Sequence, residues 1–446
     1  MRAYLKHKLN LSLLFTILLC TFSSNTFAFD AIIDGIYYYF LDGKAHVTCY
    51  AYNSKYNKTA YSGNVVIPET ITYYGQTFNV KYIDDHAFIG CTGLTSVTIP
   101  NSVISIGSSA FDGCRSLTSV TIPESITTIN SYTFTSCSAL TSITIPESVK
   151  SIGEGAFRWS GITSVTIPES VTTIGENAFQ DCSNLTSVKV ESNAIMSRSL
   201  RPIFGPQVKT YIIGDNVKTI GAYAFQNYSA LTSITIPESV TSIGESAFYC
   251  CTGLTSISIP NNVTDIGSRA FYNCQGLTSV TIGSNVTSIG KEAFYWCTSL
   301  TSLTIGNSVT SIGKDAFNCC YGLTSITFPE SVASIGENAF YECSGLTSIT
   351  CEALTPPVCG SGSFILVDRS SCTLYVPEIS VDAYKNANEW KYFYNIIGVA
   401  TGINDVRITD FEDSLYDLSG RKLSKPQRGI NIIRNNDGTA KKVVVK

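Results

Sequence analysis

Residues 240–260 read VTSIGESAFYCCTGLTSISIP, and variants of this segment fill most of the chain. The phenylalanine in the segment sets its period, which is 23 residues in most steps, 22 in one step and 46, or two periods, across an irregular stretch. The repeat phenylalanines that follow this spacing are Phe88, Phe111, Phe134, Phe157, Phe179, Phe225, Phe248, Phe271, Phe294, Phe317 and Phe340.

Each repeat contains an alternating LTSISI stretch that has the pattern of a half-buried strand. In this alternation Leu254, Ile257 and Ile259 point inward, whereas Ser256 and Ser258 point outward. A fixed spacing in this range around an L-x-x-L-x-L core is typical of leucine-rich repeats. We therefore predict a right-handed leucine-rich repeat solenoid of about twelve coils of 23 residues, with a parallel β-sheet on one face.

A glycine ends the second apolar part of each coil, as Gly267 does after Val263 and Ile266. In one coil Asn130 takes its place, and asparagine is the residue that best tolerates positive φ after glycine. The pattern therefore predicts a left-handed turn at this position. The glycines are Gly107, Gly153, Gly175, Gly221, Gly244, Gly267, Gly290, Gly313 and Gly336.

The chain begins with a segment typical of an exported protein. Residues 1–28 combine a basic start, the apolar run LSLLFTILLC and a small residue, Ala28, at a plausible cleavage point. Cys20 could instead be a lipid-attachment site, but Leu19 stands where such signals have a small residue. The apolar run is too short to span a membrane, and no second run of about 20 apolar residues follows. We expect an exported protein without a transmembrane segment, at the cell surface, on the outer membrane or extracellular.

The charge of the chain argues against nucleic acid as a partner. Only 14% of its 446 residues are charged, and the formal net charge is −4. Without the leader, 27 basic residues stand against 34 acidic ones, a net charge of −7. A mildly acidic chain without a basic stripe does not match the electrostatics of nucleic-acid binding.

Most of the 16 cysteines recur three residues after the repeat phenylalanine, which predicts a buried column of small apolar side chains rather than a disulfide framework. Ser160 and Tyr228 interrupt the column, so the position does not require a thiol. Cys359 and Cys372 could form a disulfide, although two separate buried thiols, or a bridge from either to Cys351, are alternatives. The column contains Cys91, Cys114, Cys137, Cys182, Cys251, Cys274, Cys297, Cys320 and Cys343.

The regular coils are expected to lie between two caps. We predict an N-terminal β cap at 29–82, repeats at 83–350 and a C-terminal cap at 351–400 with a helix from about 380 to 389. Residues 401–446 form a separate small β unit of two or three strands, with 436–438 (Asn-Asp-Gly) as a hairpin turn. Within the repeats, Phe204 fills the phenylalanine position of an irregular coil, and residues 192–206 are expected to bulge out of the stack.

The sequence gives little support for catalysis. It contains no H-E-x-x-H, G-x-S-x-G or P-loop motif, and after the leader only His46 and His86 remain. A nucleophilic Cys250 or Cys319, which stand outside the column, is a competing but weaker hypothesis. Stacked glutamates could bind calcium, yet Lys291 and Lys314 interrupt one of their columns. We expect no catalytic, cofactor-binding or metal-binding residues and no cofactor.

Three surfaces are candidates for a partner. The strand face is a uniform array of Ser and Thr, such as Ser279 and Thr281, which favours solubility but could meet an extended glycan. A strip of aromatic residues follows the repeat phenylalanine, where the rings could either face a partner or pack on one another. The third surface is the irregular segment 191–218. The candidate partner-binding residues are Tyr249, Tyr272, Tyr295, Trp296, Tyr321, Tyr341, Arg198, Arg201 and Ile212.

The repeat SVTSIGxxAFxxCxxLTSITIP resembles the BspA-like leucine-rich repeats of bacterial surface proteins over roughly residues 64–400. The resemblance implies an exported protein that mediates adhesion or protein–protein interaction with host or matrix components. The last 45 residues are similar to the C-terminal sorting tails of the type IX secretion route. We expect a monomer with an extracellular protein or polysaccharide as ligand. The alternatives are a glycan-binding accessory protein and a structural spacer that binds nothing.

Overall fold

The computed structural model describes residues 29–49, 60–400, 414–416, 421–423, 429–434 and 440–445. The leader and the expected turn at 436–438 lie outside the described residues. Residues 60–400 form a solenoid of stacked coils, which confirms the predicted fold class.

In most of the described coils one strand contributes to a parallel ladder, which we call the main sheet. It runs in four segments, and residues 141–146 add no strand to it. Its register repeats from coil to coil, as in Ser256↔Ser279↔Ser302. The inward residues of the quoted repeat, Leu254 and Ile257, are buried, as the alternation predicts. The strands are β4 (Ser62–Val66), β7 (Gly93–Thr98), β9 (Ser119–Val120), β12 (Ser164–Ile167), β14 (Ser187–Val190), β15 (Thr210–Ile213), β17 (Ser233–Thr235), β19 (Ser256–Ser258), β21 (Ser279–Thr281), β23 (Ser302–Thr304), β25 (Ser325–Phe328), β27 (Ser348–Cys351), β29 (Thr373–Pro377) and β30 (Asn395–Val399).

A second parallel ladder, which the sequence did not predict, runs along another side of the coil. It is built from a two-residue strand just before the turn glycine, such as Asp265–Ile266 paired with Ser288–Ile289. Its isoleucines are buried, so this ladder and the main sheet enclose the core between them. The strands are β6 (Gln76–Ile83), β8 (Ser105–Ile106), β10 (Thr128–Ile129), β11 (Ser151–Ile152), β13 (Thr173–Ile174), β16 (Thr219–Ile220), β18 (Ser242–Ile243), β20 (Asp265–Ile266), β22 (Ser288–Ile289), β24 (Ser311–Ile312), β26 (Ser334–Ile335) and β28 (Val358–Cys359).

The repeat phenylalanines form a buried column along the solenoid. Except between Phe204 and Phe225, neighbouring rings are stacked with centroids 4.9 to 5.6 Å apart. Phe204 belongs to the column, as predicted, and Phe364 extends it beyond Phe340. The backbone supports the same spacing, because the N–H of Phe271 donates to the carbonyl of Ala293 in the next coil at 2.7 Å.

The cysteine column is confirmed as buried, and its thiols form no disulfides with one another. Each thiol from Cys114 onward also donates to the carbonyl of the repeat phenylalanine one coil back, as Cys274 does to Phe248 at 3.1 Å. In the interrupted coil the Ser160 hydroxyl lies 3.3 Å from the Cys182 sulfur. The position therefore combines small volume with a weak donor, which both cysteine and serine supply.

The turn glycine is required for a reason other than the one predicted. None of these glycines has positive φ, so the expected left-handed turn is wrong. A Cβ on Gly267 would lie 2.6 Å from the carbonyl carbon of Gly244, because consecutive coils touch here through their backbones. Asn130 meets the same constraint differently, since its side-chain amide donates to the carbonyl of Ile106 at 2.6 Å.

Both ends of the solenoid are covered. At the N-terminal end β1 (Ala31–Ile33), β2 (Ile36–Leu41), β3 (Lys44–Val47) and β5 (Thr70–Tyr73) form a sheet with β6. At the C-terminal end a helix, Val381–Asn386, lies between two short 3₁₀ helices, Glu378–Ser380 and Trp390–Tyr392. Trp390 is fully buried there, and its indole N–H donates to the carbonyl of Pro357 at 2.9 Å.

The described residues of the C-terminal tail form four strands, where two or three were expected. They are β31 (Ser414–Tyr416), β32 (Lys422–Leu423), β33 (Gly429–Arg434) and β34 (Ala440–Val445), and they pair antiparallel in the order β32-β31-β33-β34.

The regular stack is interrupted once, between the coils of Phe179 and Phe225. Here α1 (Asn193–Met196) and α2 (Arg201–Phe204) replace the usual turns, and α3 is the C-terminal helix Val381–Asn386. Ile195, Met196 and Ile203 are buried, so most of the apolar side chains of this segment pack into the stack. The predicted outward bulge is wrong, because helical turns absorb the additional residues.

Candidate functional site

In every described coil except that of Phe204, two positions hold a left-handed backbone, two residues before and two residues after the repeat phenylalanine. Their φ values lie between 51° and 75°, and most of the residues are not glycine. These two left-handed residues shape a tight loop around each repeat phenylalanine. We call the surface that these loops form the loop face. The residues are His86, Ser109, Tyr132, Gly155, Asn177, Tyr223, Ser246, Arg269, Glu292, Asp315, Asn338 and Gly362 before the ring, and Gly90, Gly113, Ser136, Trp159, Asp181, Asn227, Cys250, Asn273, Trp296, Cys319, Glu342 and Leu366 after it.

The predicted aromatic strip lies on the loop face, and we call it the aromatic ridge. Tyr249, Tyr272 and Tyr295 stack on one another with centroids 4.8 and 5.0 Å apart and planes within 5°. The three residues are half-buried and their rings pack on one another, whereas a role in meeting a partner stays a prediction. The ridge is defined by Tyr249, Tyr272, Tyr295, Trp296, Tyr321 and Tyr341.

Two ridge residues are more exposed than the stacked tyrosines. Trp296 is 42% exposed and Tyr321 is 43% exposed. Trp296 adjoins the stack, with its ring centroid 5.8 Å from that of Tyr295. The hydroxyl of Tyr321 donates to Glu342 Oε2 at 3.1 Å, which fixes the ring on the neighbouring coil. The ridge is therefore a rigid aromatic surface with two large exposed rings.

The two cysteines on the loop face have different surroundings. Cys250 is half-buried, and its sulfur accepts a hydrogen bond from the Asn273 amide at 3.2 Å. Cys319 is buried and donates to Glu342 Oε2 at 3.2 Å. Burial raises the pKa of the Cys319 thiol above its ordinary value, so the thiolate that a nucleophile needs is disfavoured.

Ion pairs between coils lie beside the ridge. Arg269 contacts Glu292 at 2.6 Å, and Lys314 contacts Glu337 at 2.8 Å. The hydrogen bond from Arg269 lowers the pKa of the Glu292 carboxyl. Of the glutamates considered for calcium, Glu337 is thus paired with a cation. Across the described residues, no three His, Cys, Asp or Glu side chains are grouped as metal ligands.

The irregular coil divides its predicted residues between two surfaces. Arg198 and Arg201 are exposed, and Arg201 lies on the loop face, whereas Ile212 is 47% exposed on the main sheet in β15. Arg201 borders a pocket of about 410 Å³, and Ile212 borders a smaller one of about 250 Å³ with Thr210 and Thr235. The structure therefore does not bring Ile212 together with the two arginines.

The C-terminal cap places the candidate disulfide cysteines in different surroundings. Both are free thiols, Cys359 half-buried and Cys372 buried. Burial raises the pKa of Cys359 to about 12, with further contributions from the charges of Glu389 and Cys351. The bridge between Cys359 and Cys372 stays a prediction.

Sequence reasoning missed a buried tyrosine pair in the irregular coil. Tyr228 takes the place of a column cysteine, Tyr211 takes an inward strand position, and their hydroxyls lie 2.8 Å apart. The Tyr211 ring lies edge-on between Phe204 and Phe225. Both exceptions are visible when the coils are aligned, but they are 17 residues apart, and only the fold shows that they meet.

It also missed two prolines that change the loop face. Pro202 and Pro206 stand two residues before and two residues after Phe204, at the two left-handed positions. Proline has φ near −65° and no N–H, so this coil cannot follow the loop of its neighbours or donate from these positions. Aligning the coils on their phenylalanines would have revealed both.

None of the helices in the described ranges is long and apolar enough to cross a membrane.

Comparison with known proteins places this fold in a family. The model of the BspA type leucine-rich repeat region matches six copies, over residues 56–186, 204–312 and 264–386. The match omits 187–203, which lie in the irregular coil. No functionally curated protein matches the chain significantly.

Several solved structures are similar to this chain. A leucine-rich repeat protein from Bacteroides ovatus is 30% identical, with a TM-score of 0.53, and the match covers 83% of this chain and all of that one. A leucine-rich cell surface protein from Faecalibacterium prausnitzii is 27% identical over 72% of this chain and 94% of that one, with a TM-score of 0.31. The pneumococcal vaccine antigen PcpA is 16% identical over 84% of this chain and 100% of that one, with a TM-score of 0.34.

The 23-residue period, the stacked phenylalanine column and the match over most of the repeats lead to one conclusion: the chain belongs to the family of BspA-type leucine-rich repeat proteins.

Proposed function

We propose that this protein is an exported, surface-displayed binding protein that captures an extracellular protein through the aromatic ridge, and that it has no catalytic activity. The observation that carries the proposal is the ridge itself: three stacked tyrosines beside two rings that are 42% and 43% exposed. Tyrosine and tryptophan are enriched at protein interfaces and among the residues that contribute most to binding.

The rigidity of the ridge supports this role. Each tyrosine ring is held by the next, and the backbone beneath is held by bonds such as Cys250 N–H to the Tyr272 carbonyl at 2.8 Å. Ordering flexible side chains opposes association, and rings that are already fixed avoid much of that cost. By contrast, the outward residues of the main sheet are small hydroxyls, such as Thr281 and Thr304, which lack large anchors.

Export is the second part of the proposal. Its support is the leader at 1–28, together with the resemblance to bacterial surface proteins. The similarity of the tail to type IX sorting tails supports display at the surface over free secretion. A nucleophilic role for Cys319 is opposed by its burial and raised pKa.

The test is a biosensor panel of purified extracellular matrix proteins and polysaccharides, with residues 29–446 immobilised. We expect at least one matrix protein to bind and its affinity to fall at least tenfold in the variant Tyr272→Ala/Tyr295→Ala/Trp296→Ala. The control variant Thr235→Ala/Thr281→Ala/Thr304→Ala changes the main sheet by the same number of substitutions and should bind as the unmodified protein does.

Circular dichroism and the unfolding midpoint of both variants are measured first, so that loss of binding is not loss of folding. Unchanged capture by a folded ridge variant would remove the ridge as the binding surface. Capture of polysaccharides alone would replace a protein ligand by a glycan.

A further inference from the structure

The loop face is open at one place, beside the irregular coil. A pocket of about 410 Å³ lies there, between the loops of the coils centred on Phe179, Phe204 and Phe225. Elsewhere the residue two after the ring donates its N–H to the next coil, as Asn227 does to the Tyr249 carbonyl at 2.8 Å. Within the described residues this series of bonds has no member from Asp181 or Pro206.

Proline chemistry explains the opening. Because Pro202 and Pro206 have no N–H, neither can donate a hydrogen bond to the coil of Phe225. The ring column is interrupted at the same level, since Tyr211 lies edge-on between Phe204 and Phe225. The main sheet nevertheless continues through β14, β15 and β17. The pocket therefore lies beside a continuous part of the main sheet.

The lining of the pocket is polar and unpaired. It includes four side-chain amides, one hydroxyl and one guanidinium. Among the residues that the structure describes, none of these six side chains forms a hydrogen bond or an ion pair, whereas many other loop-face amides, such as Asn273 and Asn318, are bonded. The six residues are Asn177, Gln180, Ser199, Arg201, Gln226 and Asn227.

These groups match a particular chemistry. Amides donate and accept, so they can pair with hydroxyls that also do both. The guanidinium of Arg201 presents a planar fork of donors that fits a carboxylate, and no acidic residue lines the pocket. The volume falls within the range of small-ligand pockets and is ample for one or two sugar rings. A peptide ligand is less well matched, because the lining offers no aliphatic or aromatic side chain apart from the two prolines.

We propose that this pocket binds a carboxylate-bearing sugar, such as a uronic acid residue, with Arg201 at the carboxylate and the four amides at the ring hydroxyls. The site is separate from the aromatic ridge and does not depend on the function proposed above.

The test uses methyl β-D-glucuronide as probe and residues 29–446 as protein, with binding followed by NMR titration of the side-chain amide signals. The neutral control is methyl β-D-glucoside, which has the same ring without the carboxylate. We expect the glucuronide to shift the amide signals of the pocket and to bind at least tenfold more tightly than the glucoside.

Substitutions then locate the contact. Arg201→Gln should weaken glucuronide binding at least tenfold and leave the glucoside unaffected, and Arg201→Lys should give an intermediate loss. The matched control is Arg198→Gln, an exposed arginine three residues away that does not line the pocket, which should change binding less than twofold. Both arginines are exposed, and equal unfolding midpoints would establish that each variant is folded.

Three results would overturn the proposal. They are the absence of any pocket shift at saturating probe, equal binding of glucuronide and glucoside, and equal losses in the Arg198 and Arg201 variants. Tighter binding of N-acetylglycylglycine than of the glucuronide would assign the pocket to a peptide carboxylate instead.

Discussion

At the scale of single residues, the left-handed positions beside each phenylalanine hold side chains as different as Trp296, Cys250 and Gly113. The residue type varies at these positions because each coil repeats the backbone conformation and does not require a particular side chain. A side chain other than glycine at positive φ carries an energetic cost of roughly 1–2 kcal/mol. The solenoid repeats this cost in coil after coil, and burial of the phenylalanine and cysteine columns offsets it.

Exchanging the residue types at one left-handed position of two adjacent coils isolates the energetic cost of positive φ. Gly113 and Ser136 occupy the same position two residues after the ring, with φ of 75° and 58°. A Cβ on Gly113 meets nothing closer than 3.5 Å, so the substitution adds no clash. We predict that Gly113→Ser lowers the free energy of unfolding by about 1 kcal/mol and that Ser136→Gly raises it by a similar or smaller amount. Denaturant unfolding measures both, and equal signs would contradict the account.

The buried thiols make stability depend on alkaline pH. Burial raises the pKa of Cys297 to about 12, whereas an unfolded cysteine titrates near 8.5. Between these values the folded chain keeps a proton that the unfolded chain loses. The contribution to stability is therefore full below about pH 8.5 and decreases as pH rises, by about 1.4 kcal/mol per pH unit for each such thiol.

We predict a lower free energy of unfolding at pH 10 than at pH 8, measured by denaturant titration under reducing conditions. Cys297→Ala should reduce the difference by the contribution of one buried thiol, while Thr281→Ala, which removes no thiol, should leave it unchanged. A difference that is the same in all three proteins would show that the column does not cause it.

At the scale of the elements, the alternation of the LTSISI stretch predicted the main sheet, because period-two burial is a strong signal over six residues. The second ladder gave no comparable signal. Each of its regular strands is a two-residue pair such as Ser288–Ile289, too short for any alternation to appear. The position of the turn glycine could be found from its recurrence in the coils. Its role could not, because the clash that a side chain on Gly267 would make with Gly244 depends on the distance between coils.

The irregular coil shows a different limit of sequence reasoning. Phe204 could be assigned from spacing alone, whereas the Tyr211–Tyr228 pair joins two exceptions that lie in different parts of the coil. The predicted bulge was wrong because extra length was equated with exposure. Helical turns such as α1 bury Ile195 and Met196 instead.

The tyrosine pair can be tested by a double-mutant cycle. Both hydroxyls are buried and bonded to each other, so removal of one leaves the other without its partner. We predict that Tyr211→Phe and Tyr228→Phe each lower the free energy of unfolding by about 1–3 kcal/mol. The double variant should lose less than the sum of the two, because it leaves no unpaired hydroxyl. Additive losses in thermal or denaturant unfolding would contradict a direct bond.

At the scale of the whole molecule, the sequence predicted which residues of the coils make up the candidate site, but not how their rings are arranged. The recurrence of tyrosine after the repeat phenylalanine predicted the ridge at Tyr249, Tyr272 and Tyr295. Whether those rings pack or face solvent depends on the spacing between coils, which brings their centroids to about 5 Å. The pocket beside Arg201 was out of reach, since its residues come from three coils.

The caps allow a prediction about the tail. Trp390 and Tyr384 bury the last coil within residues 29–400, so the solenoid does not require residues 401–446 to cover its core. We predict that deletion of 401–446 leaves the unfolding midpoint of the solenoid unchanged within about 2 °C, a shift below the few degrees that 1 kcal/mol produces. In the source cell the truncated protein should no longer be found at the surface. Surface display without the tail would contradict its proposed role in sorting.

The central claim, that the aromatic ridge meets a partner, is tested most directly by hydroxyl-radical footprinting of residues 29–446 with and without a matrix protein that the biosensor panel captures. The account predicts that labelling of Trp296 and Tyr321 falls at least threefold in the complex. Labelling of Tyr74 and Tyr394, which are 81% and 82% exposed near the two ends of the solenoid, should not change. If Trp296 and Tyr321 are labelled equally in the free protein and in a saturated complex, the ridge is not the binding surface.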